Sequence, residues 1–164
     1  MADYVIATAS TADMPREFYE QHNIPVISYS YMIGDKTFED DSRESTRESI
    51  YKQMRGGALL STSMINAYTY YDFFKKLMDT GKDVIYLDMS REMSHSFQAA
   101  GEAAEKIKKE YPKQRLHVMD TLCISGDLAC WFRTWCACTK QENHSTRRLP
   151  GAKPTSSRSP TALQ

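Results

Sequence analysis

Hydroxyl groups dominate the residues of this chain that could do chemistry. Residues 88–96 hold Ser90, Ser94 and Ser96, with His95 among them. This bend follows Val84, Ile85 and Tyr86, a β-branched and aromatic run suited to a buried strand. It precedes Phe97, Ala100, Ala104 and Ile107, whose spacings of three and four mark a helix with one apolar face. Strand, polar bend and helix in that order leave free N–H groups at the helix start, where an anion can be received. A βα loop that binds nothing reads the same way. Two further hydroxyl-rich stretches, 8–11 and 120–125, also follow apolar strand-like runs.

Other constellations are weaker. Glu39, Asp40 and Asp41 could hold a metal, but adjacent acids cannot all turn to one ion, and Asp41 or Ser42 suits a helix cap. Cys123, Cys130, Cys136 and Cys138 crowd one window near His144. Their C-x-C spacing is not that of a zinc knuckle, so reduced thiols and no metal are expected. Of the four histidines only His95 lies in a candidate ligand loop. No glycine-rich phosphate fingerprint and no G-x-S-x-G elbow occurs. Hydroxyl donors without a base or nucleophile partner suit a binding protein better than an enzyme.

The elements that must carry these groups follow from periodicity and punctuation. Residues 4–7 read as a strand, 16–22 as a short helix with Asp13 as its cap and Asn23 as its end, and 24–27 as a second strand. Alternation over 28–38 around Gly34 and Asp35 reads as a hairpin. A polar helix, 43–55, carries Ile50 and Met54 and stops at Gly56-Gly57; residues 59–63 are then an extended linker. Asn66 or Ser63 caps an aromatic helix, 67–80, whose Tyr70, Phe73, Phe74 and Leu77 form a core stripe ending at Gly81. The long helix after the serine bend runs to Glu110, Tyr111-Pro112 breaks it, and 115–119 is a last strand. Strands alternating with helices predict an α/β fold, a mostly parallel sheet with helices on both faces and ligands at the strand carboxyl ends.

At 164 residues the chain can bury one real core, and its 41% hydrophobic and 26% charged fractions are ordinary. The net charge of zero gives no reason to expect nucleic acid. No apolar run approaches the ~20 residues of a membrane span, and residues 1–11 lack the basic start of a signal peptide. A cytoplasmic location is the default. The charge is uneven: residues 126–164 hold 6 of the 21 Lys+Arg but 2 of the 21 Asp+Glu.

Five ordered blocks carry a resemblance. I-A-T-A-S-T-A-D-M-P (6–15), P-V-I-S-Y-S-Y-M-I-G through D-D (25–41), S-T-S (61–63), S-R-E-M-S-H-S-F-Q-A-A (90–100) and H-V-M-D-T (117–121), with Ser125-Gly126, resemble the DegV family of bacterial fatty-acid-binding proteins. The resemblance covers about residues 3–126. It implies an α/β first domain, a smaller second domain, and a long-chain fatty acid such as palmitate (hexadecanoate) held between them. Some members carry the acyl group for a fatty acid kinase. The family's carboxylate-binding hydroxyls fall on Thr62 and Ser94, with Ser63, His95 and Ser96 as secondary candidates. The bound acid is then the ligand, and no other cofactor is implied.

The pattern departs in three places. Ala9 stands where an Asp is common, and His95 where a small residue is usual. After Gly126 no motif continues. Trp131, Phe132 and Trp135 suit a helix against the core, and from Lys140 a Ser/Thr/Pro/Arg-rich tail should be disordered. The expected organisation is a lipid-binding domain, 1–126, without its second domain, and an unmatched tail, 127–164, of the kind a frame change produces. Apolar surface left uncovered would favour aggregation or a homo-oligomer. A small-molecule phosphotransferase-like α/β enzyme using the same loops, and an inactive fragment, stay open.

Overall fold

The computed structural model describes residues 4–141, with side chains described as far as residue 134. The tail expected to be disordered and His144 lie outside these residues, as do the side chains of Trp135, Cys136 and Cys138. Four parallel strands form the central sheet: β1 (Tyr4–Ala9), β2 (Val26–Ile27), β6 (Asp83–Asp88) and β7 (Leu116–Asp120), in the order β2-β1-β6-β7. Three antiparallel strands make a second, smaller sheet: β3 (Ser30–Ile33), β4 (Lys36–Glu39) and β5 (Leu60–Ser63), in the order β4-β3-β5. The helices are α1 (Arg16–His22), α2 (Glu44–Arg55), α3 (Ala67–Met78), α4 (Ser96–Glu110) and α5 (Gly126–Gln141), and a 3-10 turn spans Ser10–Ala12.

Pleat alternation sorts the central strands onto two cores. Ala7 and Ala9 of β1 and Val84 and Tyr86 of β6 face α3 and α4, meeting Tyr70, Phe74, Leu77, Ala100, Ala104 and Ile107. Ile6 and Leu87 face the other way, onto Tyr19 of α1 and Leu128 and Phe132 of α5. Four of the α4 positions in contact are alanines, so its axis can approach α3 and the sheet closely. The α/β class, the parallel sheet and the helices on both faces stand as expected. Phe132 is fully buried, so α5 is built into the second core.

Three expectations change. Residues 60–63 are not a linker: β5 pairs antiparallel with β3, placing Thr62 opposite Tyr31 and Ser63 opposite Ser30. Asp13 does not cap α1; it sits at a left-handed φ of 51° after the 3-10 turn, and Pro15 holds the cap position. The first N–H of α1 instead donates to the carbonyl of Ser42, 3.1 Å away. Arg43, not Asp41 or Ser42, is the cap residue of α2. Ser42 takes φ 58°, and the bend lets Asp41 accept from the Arg43 N–H and the Thr46 hydroxyl, each at 3.1 Å. The acidic cluster thus orders the entry to α2. Asn66 does cap α3, its Oδ1 accepting from the Thr69 N–H at 2.9 Å.

Candidate functional site

The strand order reverses beside β1: β2 follows on one side and β6 on the other. Splayed loops at such a point leave a crevice beyond the carboxyl ends of the strands. Here that crevice is a cleft of about 480 Å³, within the range of small-molecule sites. Ser10 and Thr11 line it from the end of β1, and Met89, Met93 and Ser94 from the end of β6. The small sheet supplies Tyr31 and Thr62, and α2 supplies Ile50, Tyr51 and Met54.

Few bonds seat the small sheet on the large one. Ser10 Oγ accepts from the Tyr29 N–H at 3.1 Å. Ser96 Oγ accepts from the Ile65 N–H at 3.1 Å, just after β5. Both serine residues are buried, at 1% and 0% exposure, so these bonds are shielded from water.

The structure brings Thr62, Ser63 and Ser94 to the same cleft. Thr62 is exposed, and its hydroxyl makes no hydrogen bond among the described residues. Ser94 Oγ accepts from the Ser96 N–H at 3.1 Å. That bond uses an oxygen lone pair and leaves the hydroxyl proton free to reach a ligand. Two secondary candidates lie elsewhere. Ser96 does not line the cleft, because its buried hydroxyl is taken up by Ile65. His95 is exposed at the cap position of α4, makes no side-chain cap bond and is not part of the lining.

The three hydroxyl-rich loops also sort by role. Thr8 donates to the Leu87 carbonyl at 2.9 Å and Thr121 to the Asp88 carbonyl at 2.7 Å, both bracing the sheet. Ser125 donates to the Asp13 carboxylate. Thr11 Oγ1 and the Tyr29 hydroxyl are different: both are buried, line the cleft and have no hydrogen-bond partner. Neither was legible in the sequence, since their burial depends on two sheets meeting.

Beneath the cleft lies a buried acid, Asp88, with no exposed surface. Its Oδ1 accepts from the Met89 N–H at 2.9 Å and its Oδ2 from the Tyr70 hydroxyl at 3.2 Å; Tyr86 donates on to Tyr70 at 3.3 Å. Among the described residues no cation pairs with it. Desolvation therefore outweighs these bonds and pushes its pKa up to about 6.

The outer wall is apolar. Tyr51, Met54, Met64 and Met93 all line the cleft while 44–60% exposed, a concentration of uncovered apolar surface around a polar floor. Arg43 and Arg47 stand at its rim, Arg47 paired with Glu44 at 2.9 Å. Among the described residues no group of three or more His, Cys, Asp or Glu is placed to hold a metal. No helix among them is long and apolar enough to cross a membrane.

A family model described as "Uncharacterised protein, DegV family" matches residues 4–148. The match runs past Gly126, where the motif resemblance stops. The DegV domain-containing protein YteA of Lactococcus lactis is 28% identical over 124 residues, 75% of this chain and 43% of its own length. A crystal structure of a stearic-acid-binding protein from Eubacterium ventriosum shares the fold at TM-score 0.75 and 21% identity, over 87% of this chain and 48% of that one. A DegV lipid-binding protein from Thermotoga maritima matches at TM-score 0.72 and 25% identity, over 89% and 50%. The chain spans about half the length of the relatives it matches.

Proposed function

This chain belongs to the DegV family, and on that premise we propose that it binds a long-chain fatty acid such as palmitate. Thr62 and Ser94 donate to the carboxylate, and the acyl chain lies along the wall of Tyr51, Met54, Met64 and Met93. The protein acts as a carrier that presents the acid to a fatty acid kinase, not as a catalyst itself. Ser63, which lines the same cleft, is a secondary donor. The observation that carries the reading is the convergence of Thr62, from the small sheet, and Ser94, from the loop after β6, on one cleft.

The physics supports this division of labour. A carboxylate leaving water loses solvation worth several kcal/mol unless donors replace it. Neutral hydroxyls supply those donors without burying a compensating cation. Each methylene moved from water onto the apolar wall contributes roughly 0.8 kcal/mol, so the tail drives binding and the hydroxyls select the head. A cleft whose serine and threonine hydroxyls have no partnered base among the described residues suits holding better than turnover.

Calorimetric titration of palmitate into the chain, with Thr62→Ala and Ser94→Ala beside it, tests the reading. Each substitution should weaken binding by ~1–3 kcal/mol. Affinity unchanged in both variants would discard the site.

A further inference from the structure

We propose that Tyr29 is a third donor to the ligand's head group and selects a free acid over its ester or alcohol; this rests on the fatty-acid reading of the cleft. Four observations carry it. The Tyr29 hydroxyl is buried, has no hydrogen-bond partner, and belongs to the cleft lining that Thr62 and Ser94 share. Its backbone is clamped on both sides: the N–H donates to Ser10 Oγ at 3.1 Å, and the carbonyl accepts from the Asp40 N–H at 2.8 Å. The ring packs against the first core, so the phenol cannot swing out to water without leaving that contact. The hydroxyls of Ser96, Ser94 and Tyr70 surround it, none in hydrogen-bond geometry.

Each neighbour makes a bond to another group. Ser96 Oγ holds the Ile65 N–H, Ser94 Oγ holds the Ser96 N–H, and Tyr70 donates to Asp88. None of these oxygens stands in hydrogen-bond geometry to the Tyr29 phenol, whose proton has no acceptor within the fold. Burial pushes the phenol's pKa up, so the group is a neutral donor at neutral pH, where a fatty acid is ionised. A carboxylate has two oxygens and about four lone-pair sites, enough for Thr62, Ser94 and Tyr29 together. An ester or alcohol offers fewer and weaker acceptor sites, too few to match all three donors as well as a carboxylate does. A site built to satisfy a hydrogen bond rejects the analogue that cannot make it.

The test compares palmitate, methyl palmitate and hexadecanol as ligands of the full chain and its Tyr29→Phe variant. Phenylalanine keeps the ring and removes no intramolecular bond, so the unfolding midpoint should not move. Palmitate affinity should fall about 10-fold or more, while methyl palmitate and hexadecanol stay within about twofold. Three results would overturn the proposal. Unchanged palmitate affinity in Tyr29→Phe, with a loss in Thr62→Ala or Ser94→Ala, removes Tyr29 and leaves the fatty-acid site standing. An equal loss for all three ligands assigns Tyr29 to packing alone. No palmitate binding by the unaltered chain removes the fatty-acid reading and this proposal with it.

Discussion

Replacing Asp88 by Asn should make the protein's stability less dependent on pH, by an amount the burial of this carboxyl sets. Asp88 has no exposed surface, two neutral donors and no paired cation among the described residues. Its pKa in the folded chain is therefore about 6, against 3.8 in the absence of burial. A group whose pKa is raised on folding stabilises fully below its unfolded pKa, and that contribution is lost as pH rises through the folded pKa. The window runs from 3.8 to about 6. At 1.36 kcal/mol per pH unit the total is about 3 kcal/mol, of which about 2 kcal/mol is lost between about pH 4 and about pH 7. Asn keeps an acceptor for the Met89 N–H but turns a donor toward Tyr70, which reverses the Tyr70–Tyr86 bond. That cost does not vary with pH in this range and leaves the slope as the readout. Urea unfolding of both proteins across this range isolates the effect, because groups that do not interact with Asp88 cancel in the difference, and the Asp120 charge that does is the smallest of the causes acting on it. The unaltered chain should lose about 2 kcal/mol more than Asp88→Asn between the two ends. Parallel profiles would refute the claim that desolvation dominates at this site.

Two further outcomes test the frame of the cleft. Ser96→Ala leaves the buried Ile65 N–H without its acceptor and should cost ~1–3 kcal/mol in urea unfolding; a loss below about 0.5 kcal/mol would show that the bond is replaced by water. Phe132→Ala opens the second core, where Phe132 is fully buried with Leu128. It should cost ~3–5 kcal/mol, and a thermal midpoint unchanged by it would mean that α5 contributes nothing to the fold.

Most of the main frame could be read from local chemistry, and the departures have identifiable causes. The limits of α1 at Arg16 and His22 follow from Pro15 before it and Asn23, at a left-handed φ of 51°, after it. The cap of α3 was legible because Asn66 needs only its own helix to act. Strand β5 was not, since Leu60, Ser61, Thr62 and Ser63 show no alternation and become a strand only by pairing with β3. Local pattern did not choose among Ser90, Ser94 and Ser96; the family resemblance alone singled out Ser94. All three share one bend, and only the docking of residue 65 decides that Ser96 turns inward and Ser94 toward the cleft. Tyr29 read as an ordinary hairpin residue; its significance comes from Ser10 and Asp40 fixing the backbone while Tyr70 and Ser94 crowd the ring's tip. Sequence patterns speak for the elements, whereas unpaired hydroxyls are properties of the junction between them.

That junction has a mechanical consequence. Thr62 rides on the three-stranded sheet and Ser94 on the four-stranded one, and the serine clasps at Ser10 and Ser96 are among the few fasteners between them. The pair behaves like the jaws of a clamp, with the spacing of the tips governed at the rivets. Loosening either rivet would detune the grip on a head group without altering a single atom that touches it.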